Sequence, residues 1–179
     1  MTSTMICSNT KLTGKTYDSI RLKDYTEVFQ DYKKSALLFC TCYCDWKCCT
    51  DAGIDISVCQ NQKIAQQKEI EMSFESVLKK VNQSMTDAVI FGGLEPFMQT
   101  DEVVQCIEYL REHGVTKDIV IYTGYTLIEI ENITLYRLAC QNVILKVGRY
   151  KPDEPNHDVI DSVLGVKLAT INQYGVYLN

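Results

Sequence analysis

Five cysteines fall between positions 40 and 49, at Cys40, Cys42, Cys44, Cys48 and Cys49, and Cys59 follows closely. Thiolates are soft ligands suited to iron-sulfur clusters, zinc or copper(I), so this density points to metal chemistry. The spacing Cys44-x3-Cys48 brings two sulfurs to the same face of a loop or turn, and Cys59 supplies a third. Three thiolates close three corners of a four-iron, four-sulfur (4Fe-4S) cubane and leave the fourth iron open to an exogenous chelator or substrate. The competing reading is a closed structural zinc site, which takes four thiolates from the six. Cys7, Cys106 and Cys140 read as buried apolar residues or inert thiols. His113 and His157 are the two histidines of the chain, and neither is assigned a catalytic role.

The elements that position these cysteines follow from the apolar pattern. Ala36-Leu37-Leu38-Phe39 is a short buried strand leading directly into the cysteine segment. Ser73 precedes Phe74, Val77, Leu78 and Val81, the spacing of an amphipathic helix with a serine N-cap. Ala88-Val89-Ile90-Phe91 is a second strand, stopped by Gly92-Gly93. Thr100, Asp101 and Glu102 open another helix, which carries Val103, Val104, Ile107 and Leu110 inward and ends near Gly114. Ile119 to Tyr122 is a third strand, and Thr126 with Glu129 has the spacing of a capping box for a helix running to about Ala139. Val143-Ile144-Leu145 is the fourth strand. Residues 1–34 give weak signals, with Glu27-Val28-Phe29 the one short strand expected there.

Strands alternating with amphipathic helices indicate parallel βαβ units, so the loops after the strands collect on one rim. Residues 40–59, 92–96, 123–125 and 146–150 are expected on it. At 179 residues the chain is short for a complete eight-unit barrel, which takes about 250. The fold expected is α/β, an incomplete (partial) β/α barrel with a mostly parallel sheet, in a single domain over 1–179. Residues 1–34 form an N-terminal extension to the 36–179 core.

A formal charge of −5 argues against a basic footprint for nucleic acid or an anionic membrane. No apolar run approaches a membrane span, and the Met-Thr-Ser-Thr start lacks the regions of a signal peptide, so a cytoplasmic protein is expected. Nine cysteines in such a reducing setting favour metal or redox chemistry over disulfides.

Five motifs, in order, carry a resemblance, the first of them split over two cysteine stretches. Cys44-Asp-Trp-Lys-Cys48 is followed by Cys59-Gln60-Asn61, then Gly92-Gly93-Leu94-Glu95-Pro96, Tyr122-Thr123-Gly124-Tyr125, Lys146-Val147-Gly148-Arg149-Tyr150 and Asn172-Gln173. From about residue 36 to its end the chain resembles the radical S-adenosylmethionine (radical SAM) activating proteins of anaerobic ribonucleotide reductases. Those proteins carry C-x3-C-x2-C, GGEP, YTGY, a glycine-arginine loop and a terminal NQ pair. Two departures mark a divergent branch: ten residues separate Cys48 from Cys59, and Leu94 is inserted before the glutamate. Val58 stands where an aromatic residue usually precedes the third cysteine.

The resemblance implies that Cys44, Cys48 and Cys59 hold a 4Fe-4S cluster whose fourth iron binds S-adenosyl-L-methionine. It implies that Gly92, Gly93 and Glu95 hold the amino and carboxylate ends of SAM, and that Thr123, Tyr122 and Tyr125 meet the ribose or adenine. Lys146 and Arg149 would bind the SAM carboxylate or a partner surface, and Asn172 and Gln173 would fix SAM or the rim. Each has a plain alternative: a strand-to-helix turn at Gly92-Gly93, packing for the tyrosines, surface charge for Lys146 and Arg149, a capped turn at Asn172-Gln173. The implied activity is reductive cleavage of SAM to a 5′-deoxyadenosyl radical. The implied partners are a large glycyl-radical subunit and a flavodoxin-like electron donor. The alternatives are radical SAM chemistry on a small molecule, peptide or nucleoside, and a non-enzymatic zinc or iron-sulfur module.

Overall fold

The computed structural model describes residues 15–178. Its strands are β1 (Ser19–Val28), β2 (Ala36–Thr41), β3 (Ile70–Ser73), β4 (Ala88–Gly92), β5 (Asp118–Tyr122), β6 (Val143–Val147) and β7 (Tyr174–Tyr177). The helices are α1 (Lys47–Ala52), α2 (Gln62–Ala65), α3 (Phe74–Gln83), α4 (Thr100–Glu112) and α5 (Asn132–Cys140). The seven strands form one mixed sheet in the order β3-β1-β2-β4-β5-β6-β7.

The centre of the sheet is parallel. Cys40 on β2 registers with Gly92 on β4, Phe91 with Ile121 on β5, and Tyr122 with Lys146 on β6. The carboxyl ends of these four strands therefore share one edge, as the βαβ pattern requires. Three antiparallel strands flank them, β1 and β3 on one side and β7 on the other. These are additions to the expected parallel sheet. β1 extends the expected Glu27–Phe29 strand upstream and excludes Phe29; Ile20-Arg21-Leu22-Lys23 alternates with period two, burying Ile20 and Leu22.

Alternation along the parallel strands builds a core on each face. Leu37 and Phe39, Val89 and Phe91, Ile119 and Ile121, and Val143 and Leu145 point to the helical side, where Val77, Val81, Val103, Ile107, Leu110 and Leu138 cover them. Phe39 and Phe91 stack there at 5.7 Å. Ala36, Ala88, Ile90, Val120 and Ile144 face the other way, under Tyr32, Leu164 and Leu168 from segments outside the strands. Both faces being covered explains why the strands read as unbroken apolar runs.

The expected helix signals are borne out at α3 and α4. Ser73 Oγ accepts a 3.2 Å hydrogen bond from the Ser76 amide, and Phe74, Val77 and Val81 are buried. α4 buries all four anticipated apolar residues and stops at Gly114, whose φ of 83° is left-handed. The helix expected from Thr126 is corrected. The capping box forms, but it closes a 3-10 turn over Leu127–Glu129, and α5 starts at Asn132. Ile130 intervenes in an extended conformation with its side chain buried, so the helical register cannot run through.

Candidate metal centre

β2 delivers the cysteines to the rim and α1 turns them back. Cys40 and Cys42 are buried. The Cys42 amide donates to Gln99 Oε1 at 2.7 Å, and the Tyr43 carbonyl accepts from the Glu95 amide at 2.8 Å. The chain then reverses at Trp46, a left-handed non-glycine residue with φ of 56° that starts α1 by accepting from the Cys49 and Thr50 amides. This reversal aims the Trp46 amide at Cys44 Sγ, 3.4 Å away. Cys44 and Cys48 emerge half-buried.

Cys59 arrives from the other side of the loop, after a 3-10 turn over Ile56–Val58 whose N-cap is Asp55. The Cys49 thiol is raised by burial and by the neighbouring Cys59 and Cys48 thiols, and the Cys44 thiol by burial with a smaller contribution from Cys48. Among the described residues no three histidine, cysteine, aspartate or glutamate side chains converge to hold a single metal ion. A four-iron cluster does not require that convergence, because each iron takes its own thiolate. An all-thiolate donor set suits an iron-sulfur cluster as well as a structural zinc site.

Cluster ligands must be deprotonated, and the surroundings of the thiols differ in how they treat that charge. Burial pushes the Cys44 thiol up to about 12, opposed by the Trp46 amide. Burial also raises Cys48, opposed by the Tyr150 backbone and by the Arg149 and Lys146 cations. Burial raises Cys40 to about 11, and the nearby Asp24 carboxylate adds to the rise. Cys106 is fully buried in the helical core, as expected; Cys140, expected to be a buried residue or an inert thiol, is instead half-buried and disulfide-bonded, and Cys7 lies outside the described residues.

Around Cys48 the later rim loops close in. Glu95 is buried and fully engaged: Oε1 accepts from Thr123 Oγ1 at 2.7 Å and from the Phe97 amide at 3.0 Å, and Oε2 accepts from the Gly124 amide at 2.8 Å. Burial raises its pKa and those three donors work against the rise. Thr123 Oγ1 in turn accepts from the Tyr125 amide at 2.9 Å. A Cβ on Gly124 would stand 3.3 Å from Cys48 Sγ, 3.4 Å from Arg149 Cγ and 3.5 Å from Glu95 Oε2. Gly124 thus marks where these groups meet, and only its place within Tyr-Thr-Gly-Tyr hinted at this.

Gly92 and Gly93 have packing reasons of their own. A Cβ on Gly93, whose φ is 77°, would come within 2.9 Å of Cys40 Cβ; one on Gly92 would approach Tyr122 Cβ to 3.1 Å. Tyr125 is half-buried, stacked near Phe97 at 6.2 Å with the Arg149 guanidinium 5.2 Å over its ring. Arg149 also bonds Glu129 Oε2 at 2.7 Å. Lys146 Nζ donates to the Gly148 carbonyl at 3.1 Å, and burial drops its pKa to about 8 against the pull of Cys48 and Glu95.

Asn172 and Gln173 fix the rim. Asn172 Nδ2 donates to the Arg149 carbonyl at 2.8 Å and Gln173 Nε2 to the Gly148 carbonyl at 3.1 Å. Gln173 Oε1 accepts from the Ala169 and Thr170 amides. Gly148, with φ of 98°, permits the approach, since a Cβ there would stand 2.7 Å from the Asn172 carbonyl oxygen. Sequence reasoning missed the Arg21, Gln99 and Glu102 side chains behind the cysteine loop. An acidic residue in the first turn of a helix reads as a dipole partner, which masked Glu102.

Comparison with known families agrees with this centre. Residues 35–162 match the family model described as a 4Fe-4S single cluster domain. The match spans β2, Cys40 to Cys59 and the later rim loops, so the chain belongs to this family, which is found in radical SAM enzymes. The chain therefore carries a 4Fe-4S cluster domain. No curated protein and no solved structure matches it. Among the described residues no helix is long and apolar enough to cross a membrane.

Proposed function

We propose that the chain is a cytoplasmic radical SAM enzyme built on an incomplete β/α barrel, with Cys44, Cys48 and Cys59 as the cluster ligands. The observation that carries this reading is the meeting of Cys48 Sγ, Arg149 and Glu95 around Gly124 at the carboxyl ends of the parallel strands, in a chain of the 4Fe-4S single cluster family. When bound, the reduced cluster supplies one electron to the SAM sulfonium, breaking a carbon-sulfur bond to leave methionine and a 5′-deoxyadenosyl radical.

The residues of the chain hold and shape that site. Trp46 and Tyr150 direct backbone N–H groups at the Cys44 and Cys48 sulfurs, while Lys146 and Arg149 offset the negative charge of the thiolates. Glu95 ties the Thr123–Gly124 turn to the Gly92–Pro96 loop, fixing the rim on which the amino and carboxylate ends of SAM would lie. Tyr125, with Phe97 behind it, offers an aromatic face toward the ribose or adenine. Gln173 and Asn172 hold the Gly148–Arg149 turn in place. The radical acceptor we propose is a glycine of a large glycyl-radical subunit, which loses a hydrogen atom to yield 5′-deoxyadenosine. A flavodoxin-like protein would donate the electron.

The test is anaerobic reconstitution with iron and sulfide, reduction, addition of SAM, and quantification of 5′-deoxyadenosine and methionine. Equal formation of both, above a cluster-free control, is the expected result. Failure to take up iron while retaining zinc would replace this reading with a structural zinc module.

A further inference from the structure

Next to the cysteine loop sits an ionic network, with Glu102 and Gln99 buried and Arg21 exposed, that the chemistry above does not use. Glu102, buried at the start of α4, receives the Arg21 side chain through Nε at 3.0 Å and through Nη2, and accepts from the Arg21 amide at 2.9 Å. Gln99, also buried, donates Nε2 to the Arg21 carbonyl at 2.9 Å and to Glu102 Oε2 at 3.3 Å. Its Oε1 accepts the Cys42 amide at 2.7 Å. Arg21 Nη1 donates to the Tyr43 hydroxyl at 2.5 Å, with the guanidinium 5.0 Å over the Tyr43 ring.

The network joins three parts of the chain, β1, the loop after β2 and the start of α4, and two of its bonds end on Cys42 and Tyr43. An ion pair with one partner exposed contributes little net stability, because solvent screens the attraction and burying the carboxylate costs desolvation. What directed bonds supply instead is position. The Cys42 amide has Gln99 as its acceptor, and Tyr43 is held from both sides, by Arg21 on its hydroxyl and by the Glu95 amide on its carbonyl. Cys44 follows immediately, so the direction in which its sulfur leaves the loop is set by these two residues.

We propose that Arg21, Gln99 and Glu102 are positioning residues for the cluster, clamping Cys42 and Tyr43 so that Cys44 is presented in ligating geometry. This rests on Cys44 being a cluster ligand. No member of the clamp touches the cluster; each acts through the loop backbone or Tyr43.

The experiment uses the reconstituted holoprotein and follows iron release to a chelator, together with the midpoint potential and paramagnetic resonance spectrum of the reduced cluster. Gln99→Met, which leaves the Cys42 amide without its acceptor, is expected to release iron about five- to tenfold faster, the factor lost with one buried hydrogen bond, and to shift the potential. Glu102→Gln, which keeps the shape but removes the charge and turns one of the two acceptor oxygens into a donor, should also speed release. Arg21→Lys keeps charge without the planar fork and serves if either of these fails to fold. The control is Glu108→Gln on the same helix, which breaks the comparable Arg137 pair, bonded at 2.7 and 2.8 Å; it should lower the melting temperature and leave iron release and potential unchanged. Wild-type release rate and potential in the clamp variants, or equal changes in the control, would overturn the clamp. Full cluster content in Cys44→Ala would instead overturn the ligand assignment beneath it.

Discussion

Cys40 and Cys44 stand four residues apart on one segment, and the fold gives them opposite fates. Cys40 lies within a central strand, one residue before its end, buried, with Gly93 pressed so close that no side chain fits between them. Cys44 lies past the strand end, half-buried, with an amide turned toward its sulfur. Residue type is the same; position relative to the strand end decides whether a thiol packs or reaches the rim, where we propose that it ligates. The Cys40 environment offers no group that offsets a thiolate, whereas Cys44 and Cys48 receive backbone donors, and Cys48 two cations.

The sharpest test of this contrast is substitution at both ends. Cys44→Ala or Cys48→Ala should lose essentially all cluster iron, measured with sulfide after anaerobic reconstitution. Cys40→Ala should keep the iron and cost about 1–2 kcal/mol in denaturant melts through lost packing. A Cys40→Ala protein without iron would erase the distinction.

A smaller effect probes the packing end. Gly93→Ala forces a left-handed φ on a substituted residue and a 2.9 Å contact on Cys40 Cβ, so stability should fall by about 1–3 kcal/mol. In a Cys40→Ala background the clash with Sγ disappears but that with Cβ stays, so the penalty should shrink without vanishing. Strict additivity in the double-mutant cycle would contradict the contact.

The smallest effect lies at the outer end of the rim. The Arg149 guanidinium, helped by the Thr126 amide, lowers Glu129 to about 2. A carboxylate held below its unfolded value stabilises the fold above that value, about 4.3, and loses this as pH falls toward its folded pKa. The melting-temperature advantage over Glu129→Gln should therefore be full near about pH 6 and shrink on acidification toward about pH 3. An advantage independent of pH would remove the ion pair from the account. Because the pair is exposed, the gap should be modest and weaken further in salt.

Much of the parallel centre was legible because strands covered on both faces leave unbroken apolar runs, as in Ala88–Phe91 and Ile119–Tyr122. The antiparallel flanks were not. β3 and β7 are four residues each, largely exposed, and their pairing is decided by tertiary contacts rather than by their own composition. β1 did carry a signal, the alternation from Ile20 to Lys23, but the charged residues between its buried ones hid it. In the site, the residue types and spacing named the cysteines and the rim loops. They did not reveal that Gln173 spends its amide within the rim, or that Glu102 turns inward to Arg21, since a sequence does not say which partner a polar side chain finds across 81 residues.

The measurement that bears most directly on the three-cysteine cluster with an open iron is the paramagnetic resonance spectrum of the reduced protein before and after addition of SAM. A changed spectrum with SAM, absent in the Cys48→Ala protein, is the predicted result, since the methionine end of SAM would bind the iron that lacks a thiolate. An iron-sulfur spectrum that SAM leaves unaltered, at saturating concentration and with full iron content, would contradict it.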